Sequence, residues 1–212
     1  MSQRPLEILD YGCGNVGSLV NIFRHIGKTP KLVCEPENVS PGAAIVLPGV
    51  GNFAHCMGAL KSTGFDKVVL ASVERGDPLL GICVGMQMLF DKGEEGDVDG
   101  LGFIPGAVKM FDKKLFKSRL PLPNVGWHYV ESANEIGRRL CRNMPARPKF
   151  YHVHSYHAHC ADEKDVIFCA NYGYRFTTGV AKGKVTGFQF HPEKSHAYGM
   201  NLLSNWVEIT NE

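Results

Sequence analysis

Three short stretches of this chain carry residue types at spacings that could do thiol chemistry. The first is Gly81-Ile82-Cys83-Val84-Gly85, set after the apolar run "DPLL". It reads as the junction between a strand and a helix. A cysteine between glycines at such a junction is the thiol version of a nucleophile elbow. The glycines let two backbones approach where a side chain would clash, and the tight turn lifts the sulfur clear of the strand. The start of a helix favours a negative sulfur there. The N–H of Val84 then points where an oxyanion would form. Taken alone, the motif fits a small packed cysteine equally well. The second stretch is "GFQFHPEKS". His191 and Glu193, two residues apart in extended backbone, share one side of the chain. Glu193 could hold the imidazole in one tautomer while its other nitrogen faces Cys83, the base and orienter that a thiol nucleophile needs. The third is "LPGVGNF", where Gly49 and Gly51 flank Val50 and allow its peptide to change orientation. The Val50 N–H is a candidate second oxyanion donor.

These residues need a scaffold, and the pattern around them supplies one. Residues 6–12 form an apolar strand ending in glycine. Residues 15–28 repeat apolar positions at helical spacing, with Asn15 as a plausible N-cap and Gly27 as the stop. Strands follow at 30–35 and 43–51, then a helical stretch over 57–76 broken at Gly64. A strand over 78–83 leads into a helix over 84–93. The segments 102–130 and 148–160 read as shorter, more antiparallel strands with Pro/Gly turns. Residues 184–195 form a strand and turn, and 199–209 the last helix. Repeated strand–helix units argue a mostly parallel sheet covered by helices. We expect one α/β domain over residues 1–212, with an antiparallel extension in its second half. In open sheets of this kind, function gathers at the carboxyl ends of strands, where Cys83 lies.

The bulk composition narrows the function classes. With 212 residues, 44% hydrophobic and 21% charged, the chain has an ordinary globular composition. A formal net charge of +2 is too small to imply a nucleic-acid or membrane partner. No apolar run is long enough to span a bilayer, and the N-terminus has no signal-peptide pattern, so a cytoplasmic protein is the default expectation. The seven cysteines are scattered, odd in number and without a CxxC pair, which argues for reduced thiols.

Together, "LPGVG", "LLGICVGMQ" and "FQFHPEKS" resemble class I (triad-type) glutamine amidotransferase domains. Further stretches, "LDYGCGNVGSL", "GLGFIPGAV", "PNVGWH", "HSY" and the final "HPEKS", look like the glutaminase subunits of imidazole glycerol phosphate synthases, in that family's order across nearly the whole chain. The resemblance implies a flavodoxin-like mixed sheet flanked by helices and a Cys83–His191–Glu193 triad. It implies that L-glutamine is the substrate and that Val50 and Val84 supply the oxyanion hole. Gly49, Gly51, Gln87, Ser155 and Tyr156 match substrate-holding positions. Asn15, Asn124 and Trp127 fall in segments that face a cyclase/synthase partner, with which the family forms a heterodimer and to which ammonia is channelled. No cofactor is implied.

One segment departs from the family. Its usual "PHxGWN" is here Pro123-Asn124-Val125-Gly126-Trp127-His128, with His and Asn exchanged in type. That keeps a second reading open, a paralogous glutaminase feeding a different synthase, such as one modifying a surface-polysaccharide sugar. Other motifs have blander readings. Gly12, Gly14 and Gly17 form a GxGxxG match, a dinucleotide fingerprint only in form, because no acidic residue sits at a second strand end in a convincing context. His152, His154, His157 and His159 crowd one stretch, but no carboxylate or cysteine at ligand spacing completes a metal set, so no metal is expected. "DKGEEGDVDG" reads as a solvated acidic turn and "FDKKLFKSR" as a solvated face.

Overall fold

The structure, a computed structural model, describes residues 4–211. It opens with β1 (Leu6–Leu9), helix α1 (Val16–His25), β2 (Lys31–Val33) and β3 (Ala44–Gly49). α1 buries Leu19, Ile22 and Phe23, which fall on one helical face. Asn15 caps it, its Oδ1 accepting from the Ser18 N–H at 3.4 Å. Two helices follow, α2 (Phe53–Ser62) and α3 (Phe65–Glu74). They are broken at Gly64, whose φ of 80° lies in the left-handed region. α2 starts four residues earlier than the apolar pattern suggested, because Asn52 caps it by accepting from the His55 N–H at 3.0 Å.

β4 (Leu79–Cys83) runs straight into α4 (Val84–Gln87). The expected helix over 84–93 is therefore corrected to a single turn. Its second half is β5 (Phe90–Gly93), followed by β6 (Val98–Asp99) and β7 (Ile104–Met110). The physical reason is competition for backbone acceptors. The Met88 carbonyl accepts from the Leu101 N–H, and the Leu89 carbonyl from the N–H groups of Phe103 and Ile104, at 2.8 to 3.0 Å. Gly100 permits this approach, since a Cβ there would collide with the Phe90 carbonyl. Met86, Met88, Leu89 and Phe90 are all buried, and a short apolar run has no periodicity that separates helix from strand.

The second half holds β8 (Asn124–Tyr129), β9 (Glu131–Ser132), α5 (Glu135–Leu140), β10 (Lys149–His154) and β11 (Tyr156–Cys160). It ends with β12 (Val166–Tyr172), β13 (Tyr174–Lys182), β14 (Val185–Phe188) and α6 (His196–Thr210). Among the described residues, twelve strands form one mixed sheet, whose main path runs β2-β1-β3-β4-β14-β13-β11-β7-β5-β6. β2, β1, β3, β4 and β14 are mutually parallel, and from β13 onward the pairing is antiparallel except between β7 and β5, which run parallel. β8 and β10 form a separate antiparallel ribbon. The expected α/β architecture with an antiparallel second half is present. Every residue of β3, β4 and β14 is buried, as in a parallel sheet covered on both faces.

The histidine-rich stretch belongs to the interior. His152 Nδ1 donates to the Phe150 carbonyl (3.0 Å), and its Nε2 accepts from the Thr178 hydroxyl (2.8 Å). His157 meets the Tyr174 hydroxyl at 2.9 Å and packs on the Phe111 ring at 4.5 Å. Burial pushes the His157 imidazole down to about 4 and His154 to about 3, with His159 and His157 respectively adding like-charge repulsion. Both rings are neutral in the fold at neutral pH.

The unfolded chain binds protons at these rings below about 6.5, before the native state does. Stability is thus full above that pH and lost as pH falls towards 4. For His157 alone the loss is on the order of 3 kcal/mol at complete titration. Urea melts between pH 7 and 4 should show this slope, and His157→Gln should flatten it by about one proton.

Candidate active site

The site is built on three glycines. In the register of the sheet, Gly49 at the end of β3 lies beside Cys83 at the end of β4. A Cβ on Gly49 would come 2.5 Å from the Gly85 nitrogen, and one on Gly81 would come 2.5 Å from the Gly85 oxygen. A Cβ on Gly85 would overlap the Leu47 carbonyl. No side chain fits at any of the three. The turn this packing imposes puts Cys83 at φ 56°, ψ −113°. That is a strained conformation for a non-glycine residue, and such strain gathers at functional sites. Val84 follows immediately as the first residue of α4, so its N–H is among the free donors of a helix start.

The strand pair also sets the "PGVG" loop. The Tyr11 hydroxyl donates to the Pro48 carbonyl at 2.5 Å, and the Cys56 thiol donates to the Val50 carbonyl at 3.6 Å. Gly51 has φ 107° with open space around it, whereas Gly49 is locked against Gly85. The conformational freedom expected on both sides of Val50 is therefore confined to Gly51. Gly14 belongs to the same packing, since a Cβ there would meet the Pro48 ring at 2.7 Å. This accounts for a glycine of the GxGxxG match without a nucleotide.

His191 reaches the site from the extension of β14. Its N–H donates to the Tyr151 carbonyl at 2.9 Å, and its own carbonyl accepts from the Ser195 hydroxyl at 2.6 Å. The Ser195 Oγ accepts in turn from the Tyr151 N–H at 3.0 Å. His191 Nδ1 meets Glu193 Oε1 at 2.7 Å, and both side chains are 2% exposed. Nε2 is buried and makes no hydrogen bond. Burial opposes a charge on His191, but the neighbouring Cys83 sulfur and the Glu193 carboxylate outweigh it, and the imidazole is pushed up to about 10. The site thus favours a charged imidazolium beside the Cys83 sulfur.

Cys83, Val84 and His191 line a cavity of about 320 Å³, together with Val50, Gly51, Gln87, Ser155 and Tyr156. Glu95 is a further lining residue, which reading "DKGEEGDVDG" as a solvated turn missed. Glu95 Oε2 accepts from the Phe53 N–H at 2.7 Å, which ties the loop to the start of α2 and turns the carboxylate towards the cavity. No sequence signal separates such a glutamate from its exposed neighbours in an acidic turn.

The partner-facing candidates divide. Asn15 is exposed, and Trp127 is 42% exposed and stacked on His196 at 5.5 Å. Asn124 is fully buried, so its assignment as a partner contact is corrected. Its Oδ1 accepts from His128 Nε2 at 2.6 Å, and its Nδ2 donates to His154 Nε2 at 3.3 Å. The two positions exchanged in type relative to the family are bonded to each other.

The sequence profile of the class-I glutamine amidotransferases matches residues 7–209. The chain belongs to this family. An imidazole glycerol phosphate synthase subunit HisH 2 of Methanococcus maripaludis is 39% identical over 204 residues, covering 96% of this chain and 98% of the relative. Subunit HisH of Leptospira interrogans is 38% identical over 205 residues, covering 96% and 100%. Subunit HisH 1 of Pseudomonas aeruginosa is 39% identical, covering 96% of each. Among solved structures, a chain of PurLQS from Thermotoga maritima superposes with a TM-score of 0.74 at 16% identity, covering 98% of this chain and 99% of that one. A crystallised glutamine amidotransferase gives 0.72 at 19%, covering 98% and 100%. These two speak for the fold.

The exchanged amidotransferase loop carries a test. Asn124→His and His128→Asn should each break the shared bond and cost about 1–2 kcal/mol. The double variant, which restores the family's order, should recover most of it. A double-mutant cycle by chemical denaturation reads the coupling, and simple additivity would show that the two positions are independent.

Proposed function

We propose that this chain is the glutaminase subunit of an imidazole glycerol phosphate synthase, working as one amidotransferase domain. The observation that carries the chemistry is the strained Cys83 at the glycine-locked end of β4, sharing a cavity with the Glu193-held His191. Glutamine enters with its side-chain amide at Cys83. The sulfur attacks the amide carbon, and the N–H groups of Val50 and Val84 hold the oxyanion. His191 gives its Nε2 proton to the departing nitrogen, and ammonia leaves a glutamyl thioester. The now neutral His191 takes a proton from water, which attacks the thioester, and glutamate leaves as the sulfur is restored. Glu193 keeps Nδ1 protonated through both steps.

At the other end of the substrate, Glu95 suits the α-ammonium by charge. Gln87, Ser155 and Tyr156 complete that wall of the cavity. The cyclase subunit docks over the same end of the sheet, on the exposed Asn15 and Trp127, and receives the ammonia. The names of the HisH relatives and their nearly complete overlap with this chain support that partner. The exchanged loop does not argue for a different acceptor, because Asn124 and His128 keep a His–Asn pair in contact. We place the enzyme in the cytoplasm, where its free thiols stay reduced. Among the described residues, no helix is long and apolar enough to cross a membrane.

Cys83→Ala and Cys83→Ser should abolish glutamine hydrolysis while leaving the melting temperature and partner binding intact. Retention of full glutamine-dependent activity in Cys83→Ala would falsify the triad. The chain by itself should hydrolyse glutamine poorly, and addition of the synthase subunit with its ligand should raise kcat at least tenfold. An unchanged kcat on forming the complex would remove the partner-coupled reading.

A further inference from the structure

One buried amide next to the triad has no part in the chemistry above. Gln189 lies between Phe188 and Phe190 and is fully buried with both of them. An apolar side chain would cost less there, since a buried amide is tolerated only when its hydrogen bonds are made. Its bonds point at the two ends of the reaction. Gln189 Oε1 accepts from Gln87 Nε2 at 3.0 Å, and Gln189 Nε2 donates to Cys83 Sγ at 4.0 Å.

The polarity of this chain is dictated from one end. The Tyr156 carbonyl can only accept, and Gln87 Nε2 donates to it at 3.3 Å. The Gln87 amide must therefore present its NH2 group to both Tyr156 and Gln189. Gln189 must answer with its oxygen, which turns its own NH2 group to the sulfur. Gln87 Oε1 is then the polar atom this side chain has left for the cavity it lines. Flipping either amide would set donor against donor or oxygen against oxygen. The same carbonyl accepts from His154 Nδ1 at 2.8 Å, which anchors it from the far side.

We propose that Gln189 is a positioning residue of the glutaminase site, which uses one side chain to hold the Cys83 sulfur in its attacking direction and the Gln87 amide in its substrate-accepting orientation. The inference rests on Cys83 being the nucleophile. Its two bonds have separable consequences. A donor to sulfur stabilises the negative form and fixes its direction. An acceptor for Gln87 fixes which atom the substrate meets.

Two near-isosteric variants, assayed in the complex with the synthase subunit, separate these roles. Gln189→Glu keeps the acceptor for Gln87 but puts a carboxylate where the sulfur had a donor. It should hold KM for glutamine within about twofold, lower kcat at least tenfold, and raise the pH midpoint of Cys83 alkylation by iodoacetamide by about one unit, read on the Cys83 peptide by mass spectrometry. Gln189→Met removes both bonds and should raise KM for glutamine at least fivefold as well as lower kcat. Kinetics and alkylation profiles within twofold of the parent in both variants would overturn the proposal. So would equal losses in both with an unmoved alkylation profile, the mark of a packing role. If the buried charge of Gln189→Glu prevents folding, KM in Gln189→Met decides: a rise supports the proposal and parental KM overturns it. Failure of the triad reading looks different, because hydrolysis would then survive Cys83→Ala.

Discussion

The close approach of the ends of β3 and β4 is the constraint from which the rest of the site follows. Gly49, Gly81 and Gly85 interlock so tightly that a single methyl group on any of them would strike backbone. That contact forces the turn at Cys83 into positive φ, at a cost of about 1–3 kcal/mol by the usual measure of such strain. The surrounding strands meet the cost. β3, β4 and β14 are buried along their whole length and register-matched residue by residue. The core thus over-determines the elbow, and the sulfur does not depend on a mobile loop for its position.

Electrostatics then sorts the buried histidines into two kinds. His191, His152 and His154 are all largely desolvated, and burial works against a charge on each. They differ in partners. His152 and His154 are met by carbonyls, a hydroxyl and an amide, which satisfy a neutral ring. His191 alone of the three has a carboxylate on Nδ1 and the Cys83 sulfur beside it. A lone buried charge is prohibitive, and a paired one is tolerable when its bonds are made. The neutrality of His154, which lines the same cavity, also matters for His191. A second imidazolium there would repel the first and weaken the pairing with Cys83.

The cluster of Cys83, His191 and Glu193 could be read from the sequence because each member sits in a local motif with its own glycine or proline punctuation. The elbow needs Gly81 and Gly85 within two residues of Cys83, and Glu193 is two residues from His191. What escaped reading is long-range. Gln87 and Gln189 are 102 positions apart, and nothing in "FQF" marks its glutamine as paired. The single helical turn after the elbow escaped for a related reason. The carbonyls of Met88 and Leu89 are claimed by residues 101–104, and that competitor is invisible in the apolar run itself. Glu95 was hidden among exposed acids, distinguished only by the helix start that its loop happens to meet.

The "PNVGWH" segment shows how one strand can serve two masters at period two. Along β8, Asn124 is buried and His128 half-buried, while Val125, Trp127 and Tyr129 are exposed. Alternation places positions 124 and 128 on the inner face and 125, 127 and 129 on the outer one. The inner pair joins the site: Asn124 lies opposite His154 in the ribbon and bonds both His154 and His128. The outer set stays exposed. Treating the whole loop as a docking surface therefore merged two faces. It also explains how His and Asn can trade places without loss of chemistry. Both side chains offer a donor and an acceptor, both project to the same face, and the bond between them has the same kinds of atoms at its ends in either order.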